Sequence, residues 1–398
     1  MLKSEFSVIF NLTESEKQYI RNCKSHLHKY PELSWHEVET TAFLRRELEA
    51  IEGVEILPYA LNTGLIAKIN GLPSNRCVAL RADIDALALD EAWESPDKSL
   101  NPGRAHGCGH DFHMSALLGA AKMLARTRSD WSGAILLIFQ PAEETTNGAL
   151  EILRTGCFEE HHVQAIFGLH NRPEVETGKV VVKAGPLMAA KINFKITVHG
   201  LGGHGSMPHK CVDPIVCAAA IVQNVLTITS RNVDPMRALV LSICSIHGGT
   251  PDNLIVDTVE MTGSMRYLDP DTGTRALERL KTIVSATSQT FECTSDFEIV
   301  ESVPSVINHE SLLHLAQTAA QMAIGPDADI VTESCLATED FAQYMQRVPG
   351  FFYWVGARKP GDTCYAWHKA QFHTDDDALS NAAQILAWSA YLYLSSDI

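Results

Sequence analysis

Apolar and polar positions change period several times along the chain, and the changes outline two kinds of structure. Thr13 and Glu16 form a capping box, and helical spacing runs from there through His28 to a break at Pro31. Further helices are expected over about His36 to Glu49 and over Ser115 to Arg126. Between and after them lie short β-rich apolar runs: Leu65 to Ile69, Cys77 to Leu80, Ala134 to Phe139 and Ala165 to Leu169. These runs do not alternate, so this half reads as alternating α and β around a largely buried sheet. From Ile192 the pattern differs. Ile192, Phe194, Ile196 and Val198 alternate with Asn193, Lys195 and Thr197, as in a strand with one solvated face. A helix opened by Asp213 and Pro214 follows, then strands Ala238 to Ile246 and Val256 to Arg266, a helix Asp271 to Phe291, and a strand Phe297 to Val300. This βαββαβ order fits a small antiparallel sheet with two helices on one face. Helix and strand signals return from about Ser302 and end with Ala382 to Leu394. The chain therefore reads as one α/β domain built from 1–187 and 302–398, with an α+β domain, 188–301, inserted between the two parts.

Composition narrows the function. A chain of 398 residues with 45% hydrophobic residues can bury a large core, and its length suits two domains. The net charge of −16 leaves no basic stripe for a phosphate backbone, so nucleic acid and anionic membrane surfaces are excluded as partners and a small-molecule substrate is expected. Met1 to Leu12 lacks the charged start and apolar core of a secretory signal, and no apolar run approaches the roughly 20 residues that span a bilayer. The ten cysteines are scattered, which reads as reduced thiols and a cytoplasmic location.

Three apolar runs end in polar clusters: Leu80 leads into Arg81, Asp83 and Asp85; Phe139 into Gln140, Glu143 and Glu144; and Leu169 into His170. Ligand crevices of open α/β sheets lie beyond the carboxyl ends of strands, so these clusters are expected to converge. The densest signal is His106-Gly107-Cys108-Gly109-His110-Asp111-Phe112-His113. Imidazole and thiolate suit a zinc-like ion, and the glycines allow Cys108 and His110 to face one centre; the alternative is a histidine-rich helix start with ordinary caps. Glu143-Glu144 is either an exposed acidic pair or, at a strand end, a ligand beside a general base. His170 and His368, taken singly, read more readily as core or loop histidines than as ligands, and Gly202-Gly203-His204-Gly205 more readily as a turn than as a catalytic loop.

Taken together, Arg81 to Leu87, the Cys108 and His110 motif, Gln140 to Glu144, Gly168-Leu169-His170, Gly185 to Ala190, Gly202 to His209, Glu339-Asp340-Phe341 and His368 resemble, in this order, the aminoacylase/carboxypeptidase family of co-catalytic metallopeptidases. His28 to Ser34 is similar to the opening motif of the branch that holds hippurate hydrolase, N-acyl-amino-acid amidohydrolases and auxin-conjugate hydrolases. The resemblance spans nearly the whole chain. It implies a three-layer zinc-peptidase-like catalytic domain with an inserted ferredoxin-like domain serving as lid or dimerisation element. The implied activity is hydrolysis of the amide bond of N-acyl amino acids; a dipeptidase or carboxypeptidase, an N-acetyl-diaminopimelate-type deacetylase and a non-catalytic metal-dependent binding protein are the alternatives. The implied cofactors are two divalent ions, with zinc, manganese, cobalt and nickel all compatible with the donors. By the same resemblance Cys108, His110, Glu144, His170 and His368 are metal ligands, Cys108 lying in the place of one shared by both ions. Glu143 is the general base, Asp85 orients a ligand, His204 stabilises the oxyanion, often across a homodimer, and Asn253 and Arg266 hold the substrate. Asp83 stands where other branches carry a ligand and is expected to support the site. Two departures stand out: Thr145-Thr146-Asn147 replaces a glycine run, and His373 rivals His368 as the last ligand.

Overall fold

A computed structural model describes residues 10–92, 94–249 and 252–396. Residues 1–9, which make up most of the Met1 to Leu12 stretch read as lacking a signal, lie outside the described residues. The chain divides into two compact units. The first comprises Met1–Gly185, Ile307–Glu333 and Gln343–Ile398; the second comprises Pro186–Val306 and Ser334–Ala342.

The first unit is built on an eight-stranded sheet. Its order is Val54–Ile56, Leu65–Asn70, Ser132–Gln140, Leu72–Asp83, Ala165–Glu176, Gly350–Arg358, Val180–Val181 and Asp329–Ile330. The central strands Ser132–Gln140, Leu72–Asp83, Ala165–Glu176 and Gly350–Arg358 run parallel, so their carboxyl ends lie at one edge of the sheet. The apolar runs fail to alternate because both faces are covered. Val78, Leu80, Leu137 and Phe167 join a core with helices Glu14–Lys29, His110–Arg126, Leu313–Ala323 and Ala378–Ser395. Ala79, Leu136, Ile138 and Ile166, pointing the other way, are buried too, on the side where Phe158 stacks on Tyr344 at 5.4 Å.

Local signals explain where these elements begin. Thr13 Oγ1 accepts from the Glu16 N–H at 3.2 Å while Glu16 Oε2 accepts from the Thr13 N–H at 2.8 Å, closing the capping box. The third helix starts at His110, five residues before the expected Ser115, because Gly109 at φ +84° turns the chain directly into it. His110 to His113 of the motif thus occupy the helix's first turn, with Cys108 just before it.

In the second unit, a four-stranded antiparallel sheet has the order Leu239–His247, Thr258–Tyr267, Ala190–His199, Thr294–Val303. The strand Ala190–His199 alternates as expected, with Ile192, Phe194, Ile196 and Val198 buried. They share a core with Cys217, Ala218, Ile221 and Val225 of helix Pro214–Val225 and with Ala276, Leu280 and Val284 of helix Pro270–Thr290. Each helix is capped by the preceding aspartate: Asp213 accepts from the Ile215 N–H at 2.9 Å, and Asp269 from the Thr272 N–H at 3.1 Å. The stretch Pro214–Asn232, 19 residues, is long and apolar enough to cross a membrane by length and composition, contrary to the sequence expectation. A third of that window is buried, and its residues Cys217, Ala218, Ile221, Val225 and Ile228 belong to the core just described.

Candidate metal centre

Register alone brings three sequence clusters to one place. Asp83 pairs with Gln140 and Arg81 with Gly168, so the Asp83–Asp85 run, the Gln140–Glu144 run and His170 leave the sheet side by side. The helix beginning at His110 delivers the cysteine–histidine motif to the same edge. A Cβ at Gly109 would come within 2.4 Å of Asn171 Nδ2, which also donates to the Cys108 carbonyl at 2.6 Å, so only glycine permits this approach. The loop carrying His368, itself at φ +62°, is tied to the motif by His368 N–H donating to Gly107 O at 2.8 Å.

The resulting cluster contains Cys108, His110, Glu144, His170 and His368. Ligand atoms of Cys108, His110 and His170 lie within 4.8 Å of one another, as do those of Cys108, Glu144 and His368, and those of His110, Glu143 and Glu144. Cys108 Sγ is 3.3 Å from His170 Nε2. Glu144 Oε1 is 3.5 Å from His368 Nε2 and 3.8 Å from His110 Nε2, separations too long for hydrogen bonds but natural for two ligands of one ion.

Two observations test whether these residues fit a metal pair. His110 Nε2 and Glu144 Oε1 are buried and make no hydrogen bond among the described residues, although each faces the other. Buried polar atoms rarely stay orphaned, and a cation between them would satisfy both. The ring orientations agree. His110 Nδ1 is held at 3.2 Å by Asp85, and His170 Nδ1 donates to Asn171 O at 2.8 Å, so both Nε2 atoms are presented to the cluster. Sulfur, nitrogen and oxygen donors together suit a zinc-like ion. The site fits.

Electrostatics point the same way. Burial favours neutral His110, yet Asp83, Asp85 and Glu144 outweigh it and push its pKa up to about 10; the cluster attracts positive charge. His170 is held well below the usual histidine range by burial and by neighbouring His113, so it is neutral and able to ligate. Burial also opposes ionisation of Asp85, but the His110 hydrogen bond, the Ser34 hydroxyl at 2.7 Å and the Glu144 N–H at 2.9 Å keep its pKa low.

Not every histidine of the motif joins in this way. His113 Nδ1 is 2.6 Å from Asp83 and its Nε2 accepts from the Asn171 N–H at 2.9 Å, so both ring nitrogens are committed to the framework. Among the described residues, His106 is buried with neither ring nitrogen hydrogen-bonded and lies outside the ligand groupings. His373, the rival ligand, has Nδ1 3.0 Å from Gln371 O and enters none of the groupings among the described residues. Sequence reasoning missed Asn171, which supports His113 and Cys108, and Glu37, whose carboxylate accepts from the Ala142 N–H at 2.8 Å. The only signals for them were adjacency to His170 and a place beside the His28 to Ser34 motif.

His204, Asn253 and Arg266 belong to the second unit. His204 and Asn253 are neighbours, for Gly205 N–H donates to Asn253 O at 2.8 Å and His204 pairs with Leu254. Ser206 N–H donates to His204 Nδ1 at 3.1 Å, which leaves the proton of the neutral ring on Nε2. Arg266 lies elsewhere on that unit's sheet, where Nη1 donates to Leu336 O at 2.7 Å and Thr338 Oγ1 at 3.0 Å.

One half-buried charge near the site yields a stability prediction. His28 lies between Asp111 at 2.8 Å and Glu91 at 3.0 Å; burial disfavours its charge, but Asp111 and Glu91 raise its pKa to about 9. The folded value exceeds the unfolded one of about 6.5, so this stabilisation is complete below pH 6.5 and disappears as pH rises through about 9. Wild type is expected to lose up to about 3 kcal/mol relative to a His28→Asn variant across that window, measured by urea denaturation at fixed metal. Parallel pH profiles would refute the charged triad.

Comparison with known proteins places the chain. The profile of peptidase family M20/M25/M40 matches residues 79–390. An N-acetyl-L-cysteine deacetylase of Bacillus subtilis (strain 168) is 38% identical over 396 residues, covering 100% of this chain and 92% of that protein. Thermostable carboxypeptidase 1 of Saccharolobus solfataricus is 35% identical over 372 residues, covering 92% of this chain and 93% of its own. A crystal structure of a Bacillus subtilis dinuclear metal-binding peptidase from the M20 family superposes with a TM-score of 0.84 at 34% identity, covering 96% of this chain and 99% of that one. Matched by its profile along most of its length and by relatives over nearly all of it, the chain belongs to peptidase family M20/M25/M40.

Proposed function

We propose that this protein is a metal-dependent amidohydrolase that cleaves the amide bond of N-acyl amino acids, releasing a carboxylic acid and a free amino acid. The observation that carries the reading is the meeting of Cys108, His110, Glu144, His170 and His368 beside Glu143. An amide resists hydrolysis because its carbonyl is poorly electrophilic and its amine is a poor leaving group. Bound by those five residues, two divalent ions would supply Lewis-acid polarisation and acidify water. Glu143 takes a proton from the attacking water and returns it to the departing nitrogen. Asp85 and Asn171 O hold the His110 and His170 rings with Nε2 presented. His204 offers an Nε2–H donor suited to the developing oxyanion, and Arg266, with Asn253, holds the substrate carboxylate through its remaining guanidinium donors.

The substrate class is supported by the deacetylase relative, whose name specifies an N-acylated amino acid. The carboxypeptidase relative supports a second reading, hydrolysis of peptides from the carboxyl end. Zinc or manganese suits the donor set, and a cytoplasmic location suits ten cysteines joined by no disulfide. A homodimer formed through the second unit would let His204 serve a neighbouring subunit. Purified protein loaded with zinc, manganese, cobalt or nickel should release free amine from N-acetyl amino acids or hippurate, and faster than from dipeptides. Turnover should vanish with a chelator and return with metal. Dipeptides as the faster substrates would favour the second reading, and no release from any of them would end the first.

A further inference from the structure

We infer that Glu37 is a positioning residue for hydrolysis: its buried carboxylate holds the Ala142 N–H and thereby fixes the backbone that carries Glu143 and Glu144. The role in turnover rests on the proposed function, whereas the clamp itself does not. Glu37 is fully buried. One of its oxygens accepts from Ala142 N–H at 2.8 Å and the other from Thr63 Oγ1 at 2.8 Å, so the carboxylate is committed at both ends. Burial pushes the Glu37 pKa up, and the hydrogen bonds from Thr63 and Ala142 oppose that rise, so the carboxylate and its two donors support one another.

The loop it holds cannot be an ordinary turn. Ala142 at φ +52° and Thr146 at φ +58° both adopt the left-handed conformation that non-glycine residues avoid. Such residues persist only where their surroundings over-determine them. Here the loop is wound on itself, with Thr146 N–H donating to Glu143 O at 2.7 Å and Gly148 N–H to Ala142 O at 3.3 Å. A Cβ at Gly148 would fall 1.6 Å from Pro141 O, so the winding leaves no slack.

Asp85 completes the argument by symmetry. It accepts from the Glu144 N–H at 2.9 Å. Glu143 is therefore bracketed by two backbone N–H groups, each held by a buried carboxylate from a different element. Glu37 is itself anchored at the start of helix Val38–Glu49, where its carbonyl accepts from Thr41 N–H at 3.0 Å and Thr41 Oγ1 at 2.6 Å. The clamp thus transfers the rigidity of that helix to the loop, which a reacting carboxylate needs to stay in register.

The test compares Glu37→Ala, Glu37→Gln and Thr63→Val with wild type by hydrogen exchange of segment 141–148 and by kcat and KM at saturating metal. Glu37→Ala should speed exchange of the Ala142 amide at least ~10-fold and lower kcat ~10–100-fold with KM within about twofold, as loss of a buried acceptor implies. Glu37→Gln keeps an oxygen for Ala142 and should restore most of both. Unchanged exchange in Glu37→Ala, or a glutamine variant as slow as the alanine one, overturns the clamp. Should Glu37→Ala fail to fold, Thr63→Val decides: faster Ala142 exchange supports the proposal and wild-type exchange overturns it. If wild type hydrolyses none of the substrates, the proposed function falls while the exchange measurement still judges the clamp.

Discussion

Glu143→Gln is expected to lower kcat by about 10²–10⁴-fold while divalent metal content and unfolding midpoint remain those of wild type. Glutamine matches glutamate in shape but cannot take a proton, so the substitution removes the chemistry and leaves the packing. Glu143 is nearly buried, and a carboxylate oxygen lies within 4.8 Å of ligand atoms of both His110 and Glu144, the distance at which a base can serve water held by the cluster. Its neighbours explain why the loss should fall on kcat and not on KM. Ala142 and Glu144 are held by Glu37 and Asp85, so the backbone at 143 does not depend on the Glu143 side chain for its place. Elemental analysis and steady-state kinetics on one preparation check this. Full turnover would remove the general-base role; low turnover with lost metal would make Glu143 a ligand instead.

Much of the fold was legible because its signals are local. The capping box at Thr13, the aspartate cap at 213 and the strict alternation from Ile192 each act over a few residues, and each of these elements lies where the pattern placed it. Strand ends were legible for a related reason: apolar runs covered on both faces stop where the chain meets polar groups at the sheet edge. Boundaries set by distant contacts were not. The helix at His110 begins early because Gly109 fits against Asn171, 62 residues later, and nothing near Gly109 announces that partner. The grouping of Ser334–Ala342 with the second unit likewise depends on pairings such as Cys335 N–H to Leu187 O at 3.0 Å, which span most of the inserted segment.

The candidate site divides along the same line. Residues whose type announces their chemistry, cysteine, histidine and paired glutamates at strand ends, could be found from the chain. Among the supporting residues, Asp83 and Asp85 were marked by their strand end and by the resemblance, but Glu37, Asn171 and Ser34 were not, because glutamate, asparagine and serine are common and their role lies in where the fold sends them. Glu37 reads as a surface charge on an amphipathic helix, Asn171 as a polar residue in a strand and Ser34 as part of a turn. Only tertiary packing makes each a fixed acceptor or donor beside a ligand. His113 is the reverse case, a residue type that suggests a ligand but whose two nitrogens the fold has already engaged.

Asp83→Ala is expected to destabilise the protein by about 3–5 kcal/mol, the range for removing one partner of a buried ion pair. Asp83 and Arg81 are both buried, with Oδ2 2.8 Å from Nη1, while Oδ1 is 2.6 Å from His113 Nδ1. Burial raises the cost of ionising Asp83, but His110, Arg81 and His113 overcome it and hold its pKa well below the usual range. Alanine would remove the carboxylate facing a buried guanidinium and the acceptor that keeps His113 in place against Asn171. Through Asn171 the damage should reach the Cys108 carbonyl, so metal affinity falls as a consequence of lost framework. Asp83→Asn separates the supporting role expected for this position from that of a metal ligand, which other branches carry there. Asparagine keeps an oxygen for His113 and loses the charge, so a framework residue predicts a smaller loss of stability with metal content near that of wild type. A ligand predicts the opposite, because an amide oxygen is a poor substitute for a carboxylate on a divalent ion. Urea denaturation with and without chelator, alongside elemental analysis, tells them apart: Asp83 lies 3.6 Å from His110 Nε2, near enough that distance alone does not decide.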